Sequence, residues 1–331
     1  MILPQRFDPA IHRVAFFCPS DSVRHFPRRL NRAVESVKRV WGCEVVLAGV
    51  ESEAGEDFDF AKKADQLHRL LAAPDIGLII AATGGYTSVC LLPHLDEQLI
   101  RSSRKAIVGS SDVTALLLGL FAMTGVVTFH GPTALAGFGE LGPTSDYALN
   151  SLFQLVAGER LCVELADPLY GHDLFRFWDR EDDEPPALSP WPAREMLFKG
   201  RIEGTLIGGN LDTLVAITGT PYAPAWASKI LFWEAAFGSL SKLHRDLEVL
   251  DAAGVFNQIA GMVVGRPFRV AGAEDRDIYA LAKQIAERNS IPTIAGLALG
   301  HTAPILSVPI GVPASLDATD LSLVVGGSKW K

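Results

Sequence analysis

The 331-residue sequence has no C-x-x-C pair, no membrane-length apolar run and no block of one charge. Its most apolar stretch, Ala115–Val127, is interrupted by Gly119 and Gly125. A bilayer span needs roughly 20 apolar residues, so this stretch reads as a buried helix. The opening Met1-Ile2-Leu3-Pro4-Gln5-Arg6-Phe7-Asp8 lacks the charged-then-apolar pattern of an export signal, which makes the cytoplasm the expected location. Cys18, Cys43, Cys90 and Cys162 are scattered through apolar surroundings and read as reduced core cysteines, neither disulfides nor metal ligands. The net charge of −8 is dispersed, and no Lys/Arg stripe offers itself to phosphates, which excludes nucleic acid as a partner. No G-x-G-x-x-G opens a helix, so no dinucleotide cofactor is expected. Repeats and low-complexity tracts are also missing.

Hydrophobic residues make up 48% of the chain and charged ones 21%, enough for a large core shared by two domains. In the first half, short unbroken apolar runs at Val14–Cys18, Glu44–Ala48, Gly77–Ala82, Lys105–Gly109 and Val126–His130 suit strands buried on both faces. Helical spacing appears between them at Phe26–Trp41 and Phe60–Leu71. The fold class is therefore α/β: a doubly wound parallel sheet over residues 1–160, with a ligand site at the carboxyl ends of its strands. Residues 161–195 read as an interdomain linker, because Asp179-Arg180-Glu181-Asp182-Asp183-Glu184 is acidic and then broken by Pro185-Pro186. Such composition expects a mobile, solvated loop that could act as a lid. Residues 196–331 read as a β-rich α/β domain, with helices near Leu211–Thr218, Leu240–Ala253 and Ile278–Asn289 and strands at Ile230–Trp233, Ala260–Val264 and Thr293–Leu299.

Four segments carry chemistry. In Ile107-Val108-Gly109-Ser110-Ser111-Asp112, a strand ends and a helix begins; a serine on such a turn is exposed and has helix-start N–H groups beside it. The same Ser110, Ser111 and Asp112 also suit simple helix capping. Ala82-Thr83-Gly84-Gly85-Tyr86 follows another strand and lets backbone approach a ligand, or forms a plain turn. Glu234 ends the apolar run Ile230–Trp233, where a charge needs a cleft or a partner. His301 follows the apolar run ending at Leu299 and suits a structural or a catalytic role.

Taken together these segments resemble the LD-carboxypeptidases, serine peptidase family S66, which include the microcin C self-immunity proteins. The likeness runs through Gly84-Gly85-Tyr86, Gly109–Leu116, His130-Gly131-Pro132, Gly204–Leu211, Glu234, Gly300–Pro304 and Val308–Gly311, in the family's order. It implies a Ser111–Glu234–His301 triad, backbone oxyanion donors at Gly85 and Asp112, and no metal or cofactor. It also implies a homodimer. The family's usual Arg before the Gly-Gly pair is Thr83 here, its Gly and Arg after the tyrosine are Thr87 and Cys90, and Ala235 and Ala236 follow Glu234. Thr83, with Thr114-Ala115-Leu116, Gly137-Phe138-Gly139-Glu140 and the longer chain, looks more like the immunity branch, with a small peptidyl or aminoacyl nucleotide as substrate. Muropeptide carboxypeptidase activity, or a non-catalytic binding module on the same scaffold, are the alternatives. Substrate contacts are expected from Thr83, Gly84, Tyr86, Asn210 and Trp178, the last stacking on a base with Trp191 behind it.

Overall fold

The computed structural model describes residues 1–50, 58–158 and 162–326. The expected boundary near residue 160 lies outside the described residues. In the first half run β1 (Arg13–Phe17), α1 (Pro27–Trp41), β2 (Val45–Ala48), α2 (Phe60–Ala72), β3 (Ile76–Ala81), α3 (Glu97–Ser103), β4 (Ala106–Gly109), α4 (Val113–Thr124), β5 (Thr128–His130) and α5 (Pro143–Val156). Local chemistry sets several ends: Pro27 opens α1, the Asp59 side chain caps α2, and left-handed Gly125 closes α4.

Short pieces follow at β6 (Cys162–Glu164), β7 (Tyr170–Gly171), β8 (Ser189–Pro190) and β9 (Glu195–Phe198). Then come β10 (Arg201–Asn210), α6 (Leu211–Ile217), β11 (Lys229–Glu234), α7 (Leu240–Ala252), β12 (Gly261–Gly265), α8 (Asp275–Asn289) and β13 (Thr293–Leu297). The chain ends on β14 (Val308–Ile310), β15 (Val312–Asp317) and β16 (Ser322–Gly326).

Two sheets organise the protein. The first has the order β14-β5-β4-β3-β1-β2, with β1 to β5 parallel and β14 antiparallel to β5. The second has the order β6-β16-β15-β10-β11-β12-β13-β9, parallel only from β10 to β13. This is the expected mixed α/β architecture, with β3 and β4 wholly buried as their unbroken apolar runs require. Val308–Ile310, late in the sequence, returns to the first sheet and ties the two halves together.

The helix α4 joins the sheets. It is apolar all round and nearly all buried, and it packs against both α6 and β10. Gly209, at φ 152, lets β10 lie on the Thr114 side chain, whose hydroxyl accepts the Asn210 N–H at 3.0 Å. Any side chain at Gly209 would overlap Thr114. The helix that carries Ser111 at its start is thereby docked onto the strand that leads to Asn210.

Two sequence expectations are corrected. Cys18 and Cys43 are buried, but Cys90 and Cys162 are exposed. Cys90 lies on the 3-10 turn Ser88–His94, which turns its side chain outward, and Cys162 lies on the short strand β6. The acidic linker is not solvated throughout: Asp182 is 3% exposed and pairs with Arg29 at 3.0 Å and with Arg32. Buried Arg29 and half-buried Arg32 on α1 supply the partners that a composition count cannot see, and exposed Arg28 adds Asp183 at 2.6 Å. Among the described residues, no helix is long and apolar enough to cross a membrane.

Candidate active site

Ser111 stands between β4 and α4 with φ 59, a left-handed conformation that a non-glycine residue adopts only under constraint. The constraint is visible. The Thr114 N–H donates to the Ser111 carbonyl at 3.0 Å, and the Asp112 carboxylate accepts the Ser88 N–H at 2.9 Å. The Ser88 hydroxyl in turn donates to the Asp112 carbonyl at 2.6 Å. Asp112 is therefore not capping its own helix; its side chain fastens the nucleophile turn to the segment after Gly84-Gly85.

The glycine pair faces this turn. A Cβ placed on Gly84 would lie 3.3 Å from the Ser111 Oγ and 3.6 Å from the Asp112 N. Ser20, at the end of β1, holds the loop by accepting the N–H groups of Tyr86 and Thr87, each at 3.0 Å. Gly85, at φ 151, presses so closely on Ser20 and the Asp21 carboxylate that a side chain would overlap both. The wall next to the glycine pair thus bears a carboxylate. Thr83 is half-buried, and Tyr86 is 92% exposed.

Glu234 ends β11 and is fully buried. The register of β10 against β11 sets Asn210 directly opposite it, and the Asn210 amide donates to Glu234 Oε1 at 2.9 Å. The other end of that amide accepts the Thr213 N–H at 3.2 Å, capping α6. Asn210 was expected to touch substrate; both ends of its amide are engaged inside the protein.

His301 completes the set. Its Nδ1–H donates to Glu234 Oε2 at 3.0 Å, and the Ser111 hydroxyl donates to its Nε2 at 3.1 Å. Burial by itself pushes the Glu234 carboxyl up, but the imidazole charge and the hydrogen bonds from His301 and Asn210 outweigh it and hold Glu234 low. Burial likewise pushes His301 down, and the Glu234 charge and hydrogen bond outweigh it and raise it above its ordinary 6.5. Neutral His301 with ionised Glu234 is a proton acceptor held in one tautomer. The three side chains singled out in the sequence thus come together, in contact and in order.

Other residues of the site were given no role from the sequence. His130, fully buried at the end of β5, has its Nε2 2.5 Å from the Leu299 carbonyl, two residues before His301. Burial pushes its pKa down, so the ring is neutral and Nε2–H is the donor. The signal was present: His130 ends an apolar strand just as His301 follows one. Phe237 and Phe268 also pack on His301, with ring centroids at 5.9 and 6.3 Å. Nothing in the sequence distinguishes Phe237 from any loop aromatic.

Trp178 lies half-buried, with the Arg29 guanidinium 4.4 Å above its ring and Phe26 edge-on at 5.7 Å. Trp191 donates its Nε1–H to the Gly296 carbonyl at 3.1 Å and packs under Arg266.

The chain matches the LD-carboxypeptidase N-terminal domain over residues 14–131 and the LD-carboxypeptidase C-terminal domain over residues 203–316. It is 32% identical over 311 residues to a protein of Vibrio cholerae named as a carboxypeptidase, covering 92% of both chains. To the microcin C7 self-immunity protein MccF of Escherichia coli it is 32% identical over 270 residues, covering 77% of this chain and 75% of MccF. The structure of MccF in complex with aspartyl sulfamoyl adenosine superposes with a TM-score of 0.90 at 27% identity, covering 99% of each chain. This chain belongs to the LD-carboxypeptidase family, serine peptidase family S66, and is an enzyme of the serine carboxypeptidase/amidase class.

Proposed function

We propose that the protein hydrolyses the amide-type bond between an aminoacyl or peptidyl group and a nucleotide, using Ser111, His301 and Glu234. The observation that carries the proposal is the unbroken contact line from Ser111 Oγ through His301 to Glu234, at 3.1 and 3.0 Å. Ser111 attacks the acyl carbon while His301 Nε2 takes its proton. His301 then protonates the leaving nitrogen as the carbon–nitrogen bond breaks. Water, deprotonated by the same imidazole, releases the acyl group and restores Ser111. Glu234 keeps Nδ1 protonated and stabilises the imidazolium. Backbone N–H groups of Gly85 and Asp112 receive the negative oxygen, each worth about 3 kcal/mol of barrier.

Preference for a nucleotide leaving group is supported by Thr83 beside the glycine pair, which offers a hydroxyl and no charge where a guanidinium would grip a free substrate carboxylate. MccF, similar over nearly the whole structure, has been solved with aspartyl sulfamoyl adenosine. The second reading, trimming of a muropeptide, draws on the Vibrio cholerae relative named as a carboxypeptidase. A cytoplasmic location and a homodimer belong to the same proposal, the homodimer resting on the family resemblance. The test is direct incubation with aspartyl sulfamoyl adenosine and with muramoyl tetrapeptide. Release of aspartate is expected. Release of terminal D-alanine with the nucleotide compound untouched would replace the first reading by the second, and no turnover of either by a chain that binds one would favour a binding module.

A further inference from the structure

Phe237 stands out against the physics of the rest of the surface. It lies in the loop between β11 and α7, three residues after Glu234, and is 49% exposed. Its φ of 62 places a bulky residue in the left-handed region, where glycine is the ordinary occupant. The conformation is fixed on both sides: the Phe237 N–H donates to the Phe268 carbonyl at 2.8 Å, and the Phe268 N–H donates to the Ala235 carbonyl at 2.9 Å. Folding alone gains little from a half-exposed phenylalanine held in a strained backbone.

The ring is not isolated. Phe237 meets Phe268 edge-to-face at 5.4 Å, His301 at 5.9 Å and Phe175 at 6.0 Å. Phe175 continues to Phe177 at 5.2 Å, and Phe268 stacks on the His301 imidazole at 19°. Phe175 and Phe177 are themselves 38% and 44% exposed. A continuous aromatic surface therefore leads from the proton-accepting imidazole out to the linker. Among the described residues, Arg269 lies over Phe175 and Arg180 over Phe177, at the outer part of this surface.

We propose that Phe237, with Phe175 and Phe268, is the specificity-determining shelf of this enzyme and receives an aromatic or extended apolar group next to the bond being cut. The proposal rests on the reading of Ser111 and His301 given above. Flat groups gain edge and face contacts with such rings, whereas a carboxylate set on Phe237 would exchange water for ring carbon. Both the acyl side chain and the leaving group flank the bond beside His301. Either can supply the aromatic group, and the chemistry recognised is the same.

Two substrate pairs separate the sources. Phenylalanyl against aspartyl sulfamoyl adenosine varies the acyl side; aspartyl sulfamoyl adenosine against its analogue lacking the base varies the leaving side. The protein should favour the aromatic member of at least one pair by about tenfold in kcat/KM. Phe237→Gly, which the left-handed backbone accepts, should keep its melting temperature and bring that ratio close to one, mainly through KM. Phe237→Leu should restore part of it, and Phe175→Ala should lower it. Equilibrium binding of the same compounds to Ser111→Ala, with and without Phe237→Gly, tests the shelf apart from the chemistry. Turnover surviving in Ser111→Ala would refute the nucleophile and leave the binding ratio as the measure of the shelf. An unchanged ratio in Phe237→Gly overturns the proposal, as does equal loss on all compounds or no aromatic preference in turnover and binding alike.

Discussion

Ser111 Oγ and His301 Nε2 lie 3.1 Å apart although 190 positions separate them in the chain. Ser111 belongs to the turn after a strand of the first sheet, His301 to the loop after β13 of the second. The loop is anchored to the rest of the protein on either side of His301. His130 grips the Leu299 carbonyl, and Val308–Ile310 pairs with β5 shortly afterwards. The proton relay is thus assembled across the junction of the two sheets.

Replacing Ser111 by alanine should abolish turnover and remove labelling by a fluorophosphonate probe. The melting temperature should stay close to that of the unmodified protein, because among the described residues the hydroxyl bonds only to His301. Labelling that persists in Ser111→Ala would locate the nucleophile elsewhere.

The pH profile follows from the pair His301–Glu234. Only neutral His301 can accept the Ser111 proton, and its pKa is raised above the ordinary 6.5, chiefly by Glu234 overcoming burial. The acid limb of kcat/KM should therefore be centred above 6.5, with activity lost as pH falls. Glu234→Gln removes the anion, so the limb should move to lower pH while the plateau drops by about 10²- to 10⁴-fold. A limb that does not move would mean another group titrates.

His130 is a positioning residue. His130→Leu leaves the Leu299 carbonyl buried without a donor, at a cost of about 1–3 kcal/mol in stability. It should lower kcat with little change in KM. In His130→Gln the amide can reach the place of Nε2, so kcat should recover substantially. Equal activity of the leucine and glutamine variants would show that the Leu299 contact does not matter to the rate.

Half-buried Trp178 carries Arg29 over its ring and Phe26 at its edge. Trp178→Ala should lower stability by about 1–2 kcal/mol through lost packing and cation–π contact. The rates on nucleotide and peptide substrates should fall by the same factor. Selective loss on nucleotide substrates would restore the stacking role expected from its place in the linker.

Thr83 stands next to the glycine pair and supplies a hydroxyl where a guanidinium would grip a carboxylate. Thr83→Arg should shift relative kcat/KM toward substrates with a free terminal carboxylate by about tenfold. No shift would mean that the carboxylate side of the substrate lies elsewhere.

The sequence by itself determined the α/β class and the strand ends at which Ser111, Glu234 and His301 stand. Buried parallel strands must be apolar throughout, so the first polar residues after them mark the sheet edge where chemistry occurs. Gly84-Gly85 was legible for the same reason: it follows β3 at once. Contacts between distant segments were not legible. Asn210 proved to hold Glu234 because the β10–β11 register sets them opposite, and register is a property of two strands at once. Asp182 was read as solvated because its partners Arg29 and Arg32 lie 150 residues away on α1. Only the tertiary structure decided that Phe237 shares a surface with His301, since the exposure of an aromatic ring depends on what the fold lays against it.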